Sequence, residues 1–273
     1  MSEYLSYAGK RVIVSGCYSG MGEATARLLL ELGAEVHGLD YQDCKLPLAS
    51  FQRMDLREPN SIDAALSSLR GSFDALFNCA GVPSTFAQVD MLRVNYVGPR
   101  RLTDGLLPRL TRGAAIACIS SSAGLGWARR LDLLKEFVAI ESYQEAVAWV
   151  QEKSPSQDMY TFSKEAIIVW TLTSSSALIG RGIRMNCTLP GPTQTPFMEK
   201  QTTITPAAQV DAFTWPINRR SVAEEQAAAL VFLNSSVASY VNGVALPVDG
   251  GFIAGVSTGV VDVRSLLAER AKA

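Results

Sequence analysis

Tyr160 and Lys164 stand four residues apart in Tyr160-Thr-Phe-Ser-Lys164. On a helix that spacing sets a phenol and an ammonium on one face, within mutual reach. An ammonium beside a phenol favours the phenolate, so the pair reads as an acid or base whose tyrosine pKa is drawn from about 10 toward neutrality. By itself such a pair is a chance match in many helices. The run Ile119-Ser-Ser121-Ser-Ala-Gly124 supplies a third group, because it ends an apolar strand-like stretch and places a hydroxyl over the carboxyl edge of a sheet, the usual ligand side. Ser120 and Ser122 flank Ser121 as alternatives.

A second constellation lies near the start of the chain, in Ser15-Gly16-Cys-Tyr-Ser19-Gly20-Met21-Gly22 followed by Glu23-Ala-Thr-Ala-Arg-Leu-Leu-Leu. Three glycines permit a tight turn and close backbone approach, so that the first N–H groups and the positive end of a helix face a pyrophosphate. Asp40 ends the next strand-like run, 18 residues after Gly22. A carboxylate there accepts both hydroxyls of an adenosine ribose and repels a 2′-phosphate. With Ser19, not Arg or Lys, beside Gly20, the reading favours NAD over NADP.

These groups need a frame, and the alternation of the chain supplies one. Apolar runs at Arg11–Val14, Glu35–Leu39, Phe51–Met54, Phe73–Phe77, Ala114–Ile119, Ile183–Cys187 and Val244–Val248 are separated by longer helical patterns. The runs are continuous, not alternating in polarity, as parallel strands covered on both faces require. The expected fold is α/β, a single-domain doubly wound (Rossmann) seven-stranded parallel sheet in the order 3-2-1-4-5-6-7 with helices on both faces, spanning residues 1–273. Two stretches fall outside the alternation. Residues 125–159 carry Trp127, Leu131, Leu134, Phe137, Val138, Tyr143, Val147 and Val150 at helical spacing, read as one or two amphipathic helices that either pack, make a subunit contact or cover a substrate pocket. Residues 193–218, rich in Thr, Gln and Pro, read as a mobile substrate loop.

The 273 residues are 48% apolar, enough for a sizeable core, and Lys plus Arg (25) nearly balance Asp plus Glu (26). A net charge of −1 offers no field for nucleic acid or anionic lipid. The longest apolar run, Ala227–Leu233, is far too short to span a bilayer, and the first residues lack a secretory leader's basic and apolar regions, so the expectation is a cytoplasmic protein without membrane partners. Cys17, Cys44, Cys79, Cys118 and Cys187 form no C-x-x-C pair, and His37 is the sole histidine, so neither a disulfide framework nor a metal site is expected. His37 reads as a packed strand residue, Cys17 as a small residue tolerated beside a cofactor, and Arg264–Ala273 as a solvated tail.

From Lys10 to about Phe252 the sequence resembles the short-chain dehydrogenase/reductase family. The matching motifs are Gly16/Gly20/Gly22, Asp55, Asn78-Cys-Ala-Gly81, Val94-Asn95, Ser121, Tyr160/Lys164, Pro190-Gly191 with Thr195, and Val248-Asp-Gly-Gly251. The resemblance implies that Tyr160 is the general acid/base, that Ser121 orients the substrate oxygen, that Lys164 holds the nicotinamide ribose, and that Asn95 supports a proton-relaying water. It further implies that Asp55 meets the adenine, that Asn78 and Gly81 line the adenosine side, and that Thr195 reaches the carboxamide. Leu56, Ala80, Pro190, Gly191 and Thr193 complete the implied NAD contacts, with Ser19 and Met21 in the turn.

Ser15 stands where the family usually has Thr, Cys79 replaces the second Asn of Asn-Asn-Ala-Gly, and Tyr160 lies 39 positions after Ser121, far more than usual in the family. That insertion resembles a subgroup with bacterial coniferyl-alcohol and 3-alpha-hydroxysteroid dehydrogenases, the former more closely through Ala80-Gly-Val-Pro83, Ala128-Arg-Arg-Leu131 and Phe162–Trp170. The implied activity is NAD-dependent interconversion of an aryl or allylic alcohol, such as coniferyl alcohol, and its carbonyl, by a homodimer or homotetramer. Oxidation of a steroid or other bulky secondary alcohol is the alternative. A non-catalytic nucleotide sensor would have lost Tyr160 or Lys164, and both are present.

Overall fold

The apolar runs become strands β1 (Arg11–Ser15), β2 (Glu35–Asp40), β3 (Ser50–Arg53), β4 (Phe73–Asn78), β5 (Leu110–Ile119) and β6 (Arg184–Pro190). Two short strands, β7 (Thr193–Gln194) and β8 (Ser221–Val222), pair with each other before β9 (Ala245–Val248). The structure, a computed structural model, describes residues 5–156, 158–263 and 265–266. The tail from Arg264 that the sequence reads as solvated lies almost wholly outside the described residues. The main sheet has seven parallel strands in the order β3-β2-β1-β4-β5-β6-β9, the order expected. Its strand order reverses between β1 and β4, and ligands of such sheets bind at the carboxyl ends beside that reversal.

Successive residues of one strand serve opposite layers, which is why the runs are apolar throughout. Ile13 of β1 joins the core beneath α2 (Pro59–Ser68), α4 (Gly98–Leu106) and α7 (Met159–Leu178), whereas Val12 and Val14 join the core beneath α1 (Gly20–Glu31) and α10 (Ala223–Asn234). Between β4 and α4 come α3 (Gln88–Leu92) and a π-helical turn, Arg93–Val97.

Of the described residues in 125–159, only Asp158 and Met159 at its end line the cleft over the sheet; the helices of the stretch pack elsewhere. A 3-10 stretch (Ser122–Arg130) leads into α5 (Leu131–Val138) and α6 (Tyr143–Lys153), which pack against α7 and extend the core outward. Phe137 is fully buried among Tyr96 at 5.0 Å, Trp149 at 5.2 Å and Phe162 at 5.2 Å between ring centres. Leu134 and Val138 are buried with it and Leu131 is partly so, which leaves these positions little area for a subunit contact. The Tyr143 hydroxyl donates to the carbonyls of Leu56 (2.9 Å) and Arg57 (2.8 Å), anchoring α6 to the loop after β3.

Residues 193–218 are also more ordered than the composition suggests. They contain β7, α8 (Pro196–Gln201) and α9 (Ala207–Ala212). Gln201 at the end of α8 accepts from the Ser84 N–H (3.0 Å) and donates to Thr205 Oγ1 (3.0 Å), tying this segment across the cleft to the loop after β4. A last helix, α11 (Phe252–Ser257), follows β9.

Candidate active site

A cleft of about 1070 Å³ opens over the carboxyl ends of β1, β2, β4, β5 and β6. At one end lies the glycine turn. Gly16 adopts φ +78°, its N–H donates to the Leu39 carbonyl (2.8 Å), and a Cβ there would stand 2.5 Å from the Ala80 nitrogen. A Cβ on Gly22 would meet the Gly16 oxygen at 2.0 Å, so only glycine lets strand, turn and helix close this tightly. Ser19 is extended at the start of α1 and makes no side-chain cap, leaving the first backbone donors of the helix facing the cleft for an anion.

Asp40 completes this end. Its carboxylate accepts from the N–H groups of Tyr18 (3.0 Å) and Gln42 (2.9 Å) and makes no ion pair among the described residues. Tyr18 lines the cleft beside it, a contact to which no sequence motif pointed. Asp55 also lines the cleft, but Arg57 grips both its oxygens (2.6–3.1 Å). These hydrogen bonds hold the Asp55 carboxyl below the usual carboxylate range despite the opposing effect of burial. Asn78 departs from the expected pattern: it is buried below the cleft, where its Nδ2 donates to Thr103 Oγ1 (2.9 Å), so it ties β4 to α4 and does not line the adenosine side.

At the other end β5 and α7 bring the reacting groups together. Helix α7 is apolar around nearly its whole circumference and buried accordingly, with Asp158 capping its first turn by accepting from the Thr161 N–H (3.1 Å). The Ser121 side chain lies beside the Tyr160 phenol and favours its ionised form. Ser120 instead donates to the Lys164 carbonyl (2.7 Å), so of the three consecutive serines Ser121 is the one that meets the phenol. The Lys164 ammonium is buried, donates to the Ile119 carbonyl (3.1 Å) and lies 5.7 Å from the Tyr160 ring centre.

The electrostatics correct the expected tyrosine shift. Burial pushes the Tyr160 phenol up to about 12, with only the Ser121 side chain opposing it, while Asp158 adds to the rise. Burial likewise pulls Lys164 down to about 8. The lysine contributes no resolved lowering of the phenol because its ammonium sits over the ring face and is turned to a backbone carbonyl.

Asn95 sits in the π-helical turn and clamps the loop after β4, accepting from the Val82 N–H (2.8 Å) and donating to the Val82 carbonyl (3.1 Å). It lies behind Gly81: a Cβ on that glycine would stand 3.4 Å from Asn95 Oδ1 and 3.6 Å from Lys164 Nζ. Such turns recur at functional sites. Ser19, Met21, Leu56, Ala80, Gly81, Pro190, Gly191, Thr193 and Thr195 all line the cleft, with Thr195 side-chain atoms 3.3 Å from where a Gly20 Cβ would be. The wall beyond Tyr160 is apolar, built by Phe86, Met91, Val94, Phe197, Val210 and Phe213, and Phe197 lies 6.0 Å from the Tyr160 ring. Phe86, Met91 and Val210 carry no motif; they come to the cleft from the loop after β4, from α3 and from α9. Trp127 and Phe137 do not line the cleft, and Trp215 packs against Gly255 instead. His37 is buried, hydrogen-bonded to Ser50 (2.7 Å) and Glu35 (3.0 Å) at the opposite edge of the sheet.

A doubly wound sheet with a glycine cradle, a reading carboxylate and a Ser-Tyr-Lys group at one cleft defines a dinucleotide-dependent class of fold and site. Residues 10–130 match the family described as short chain dehydrogenase, and residues 136–253 match enoyl-(acyl carrier protein) reductase. The chain is 36% identical over 249 residues to coniferyl-alcohol dehydrogenase of Pseudomonas sp. (strain HR199 / DSM 7063), covering 90% of this chain and 98% of the relative. It is 30% identical over 246 residues to 3-alpha-hydroxysteroid dehydrogenase/carbonyl reductase of Comamonas testosteroni, covering 88% and 95%. The crystal structure of 3-alpha-hydroxysteroid dehydrogenase from Pseudomonas sp. B-0831 complexed with NADH superposes with a TM-score of 0.78 at 28% identity, covering 92% of this chain and all of that one. The chain belongs to the short-chain dehydrogenase/reductase family, and is an oxidoreductase of that family.

Proposed function

We propose that this protein interconverts an aryl or allylic alcohol and its carbonyl with NAD as the coenzyme, Tyr160 carrying the proton. The observation that carries the reading is the cleft that Ser121, Tyr160 and Lys164 line together beside apolar side chains, with the Lys164 ammonium 5.7 Å from the Tyr160 ring. A dinucleotide fits the residues present: Gly16 and Gly22 leave space that any Cβ would fill, the first N–H groups of α1 meet its pyrophosphate, and Asp40 and Lys164 receive its two riboses. When bound, the nicotinamide supplies the hydride acceptor for alcohol oxidation and the donor for the reverse.

The chain's own groups handle the rest. Ser121 holds the substrate oxygen by hydrogen bonding, so that Tyr160 meets it in one orientation. A phenol held near 12 keeps its proton at neutral pH and gives it to a carbonyl oxygen at Oη; taking a proton from an alcohol requires added positive charge near the ring, which an oxidised nicotinamide would bring when bound. Asn95 holds the Gly81–Val82 backbone that forms the floor beside Lys164. Phe197 and Phe213 offer flat faces to an aromatic ring.

A second reading, oxidation of a 3-alpha-hydroxysteroid, is favoured by the likeness to two proteins of that name. Comparing kcat/KM for coniferyl alcohol, cinnamyl alcohol and a 3-alpha-hydroxysteroid with NAD⁺ separates the two. The aryl-allylic alcohols are expected to lead by at least about tenfold. A steroid lead of that size installs the second reading and leaves the roles of Tyr160 and Ser121 in place. We further propose a homodimer or homotetramer: the exposed Phe232, Val237 and Tyr240 near the end of α10 are apolar surface that a second copy would cover. Light scattering that returns a monomer mass at micromolar concentration would overturn that.

A further inference from the structure

The segment that follows Ser121 lies directly on the helix that carries Tyr160. A Cβ on Gly124 would stand 3.2 Å from the Lys164 carbonyl carbon and 2.8 Å from Ile168 Cδ1, and one on Gly126 would stand 3.1 Å from Glu165 Oε1. Six residues after Gly124 the Arg130 guanidinium forms an ion pair with Glu165 Oε2. Glu165 is the next residue after Lys164 and its side chain is only 3% exposed. Burial raises its carboxyl pKa, and the Arg130 charge and hydrogen bond work against that rise. The same guanidinium donates to the Pro155 carbonyl (3.5 Å) and lies 5.7 Å from the Phe162 ring centre.

Arg130 therefore touches the chain on both sides of Tyr160, at residues 155, 162 and 165, and belongs itself to the stretch that leaves Ser121. The 38 residues between Ser121 and Tyr160 form a loop whose two ends meet at this guanidinium. Without it, the described bonds that fix the strand end to α7 near the reacting groups are Ser120 to the Lys164 carbonyl and Lys164 to the Ile119 carbonyl. We infer that Arg130 and Glu165 are positioning residues: a buried clasp that closes the base of the insertion and holds Ser121 in register with Tyr160. Neither touches substrate or coenzyme; the pair acts through the alignment of two hydroxyls, and misplacement of reacting groups by about 1 Å costs up to about 10² in rate. Removing Arg130 leaves Glu165 buried without its counter-charge, and removing Glu165 leaves Arg130 without its own, so the clasp depends on both members.

The inference rests on the proposed function, and its test separates the two. Steady-state kinetics with coniferyl alcohol and NAD⁺, NADH binding by fluorescence, and hydrogen exchange followed by mass spectrometry are compared in wild type, Arg130→Met, Glu165→Gln and Arg130→Lys. Arg130→Met and Glu165→Gln are expected to lower kcat about tenfold, with NADH affinity within about twofold and faster exchange at residues 120–126. Arg130→Lys, which keeps the ion pair and loses the reach to Pro155, is expected to recover most of kcat. Variants that melt earlier yet keep kcat within about twofold would overturn the clasp while leaving the alcohol reading intact, as would a fall in NADH affinity that matches the fall in kcat. Should the wild type oxidise no alcohol, the functional reading fails, and the exchange at 120–126 alone decides the clasp: unchanged protection in Arg130→Met refutes it.

Discussion

The glycine turn and the inserted helices are built by opposite means. Around Gly16 and Gly22 the backbone itself is the packing, with Cβ positions already taken by the Ala80 nitrogen and the Gly16 oxygen. Around Phe137 the packing is large rings, Tyr96, Trp149 and Phe162, interlocked across four separate elements. The first arrangement leaves a cavity for a ligand because side chains are missing; the second leaves none because side chains fill it. A ligand site and a core extension thus lie on either side of α7, and that helix couples them: Tyr160 and Lys164 belong to the cleft, Phe162 and Glu165 to the insertion. On the proposed reading, one helix face sets chemistry and the other sets position.

That division predicts mutations of different character. Tyr160→Phe removes the proposed proton carrier and keeps the ring, so kcat should fall by about 10²–10⁴ with NADH affinity nearly unchanged. Near-normal turnover would move the proton to another group. Phe137→Ala opens a cavity in the ring cluster and should cost about 3–5 kcal/mol in urea unfolding, while the preference among alcohols stays within about twofold. A changed preference would return the insertion to the substrate pocket.

Lys164 links the two faces and gives a pH test. A lysine held near 8 against an ordinary 10.5 costs the folded chain about 3 kcal/mol at neutral pH. The unfolded chain binds the extra proton between those values, so wild-type stability should rise relative to Lys164→Met as pH climbs from about 8 to 10.5, with the cost in full below that window. A flat difference across the window would place the lysine in water. Smallest is the effect at Asp40: wild type should favour NAD⁺ over NADP⁺ by at least about tenfold in kcat/KM, about 1.4 kcal/mol, and Asp40→Ala should narrow that gap.

Sequence spacing was sufficient wherever the structure is local. Gly16 to Gly22, Asp40 at a strand end and Tyr160 to Lys164 on one helix turn are each decided within a few residues, and the strand order follows from continuous apolar runs. It failed where the deciding partner is remote. The apolar stripe through Leu134 and Phe137 announces burial, yet only the tertiary fold says that it faces α7 and not a ligand. Thr193–Asn218 looks irregular by composition, but Gln201 is tied to Ser84, 117 positions away. Asn78 was misplaced for the same reason, since Thr103 claims its amide from another helix. The tyrosine shift was misjudged in sign because spacing reports that Lys164 is near and cannot report that its ammonium faces the Ile119 carbonyl.

The central claim is that an alcohol carbon in this cleft gives up its hydrogen to NAD⁺ while Tyr160 manages the proton. Coniferyl or cinnamyl alcohol dideuterated at the carbinol carbon, incubated with the protein and NAD⁺, tests it directly by mass spectrometry of the coenzyme. The account predicts NADH carrying one deuterium from the carbinol carbon, formed at least about 10²-fold more slowly by Tyr160→Phe. NADH without deuterium, or no NADH from either alcohol by a folded protein that binds the coenzyme, would contradict it.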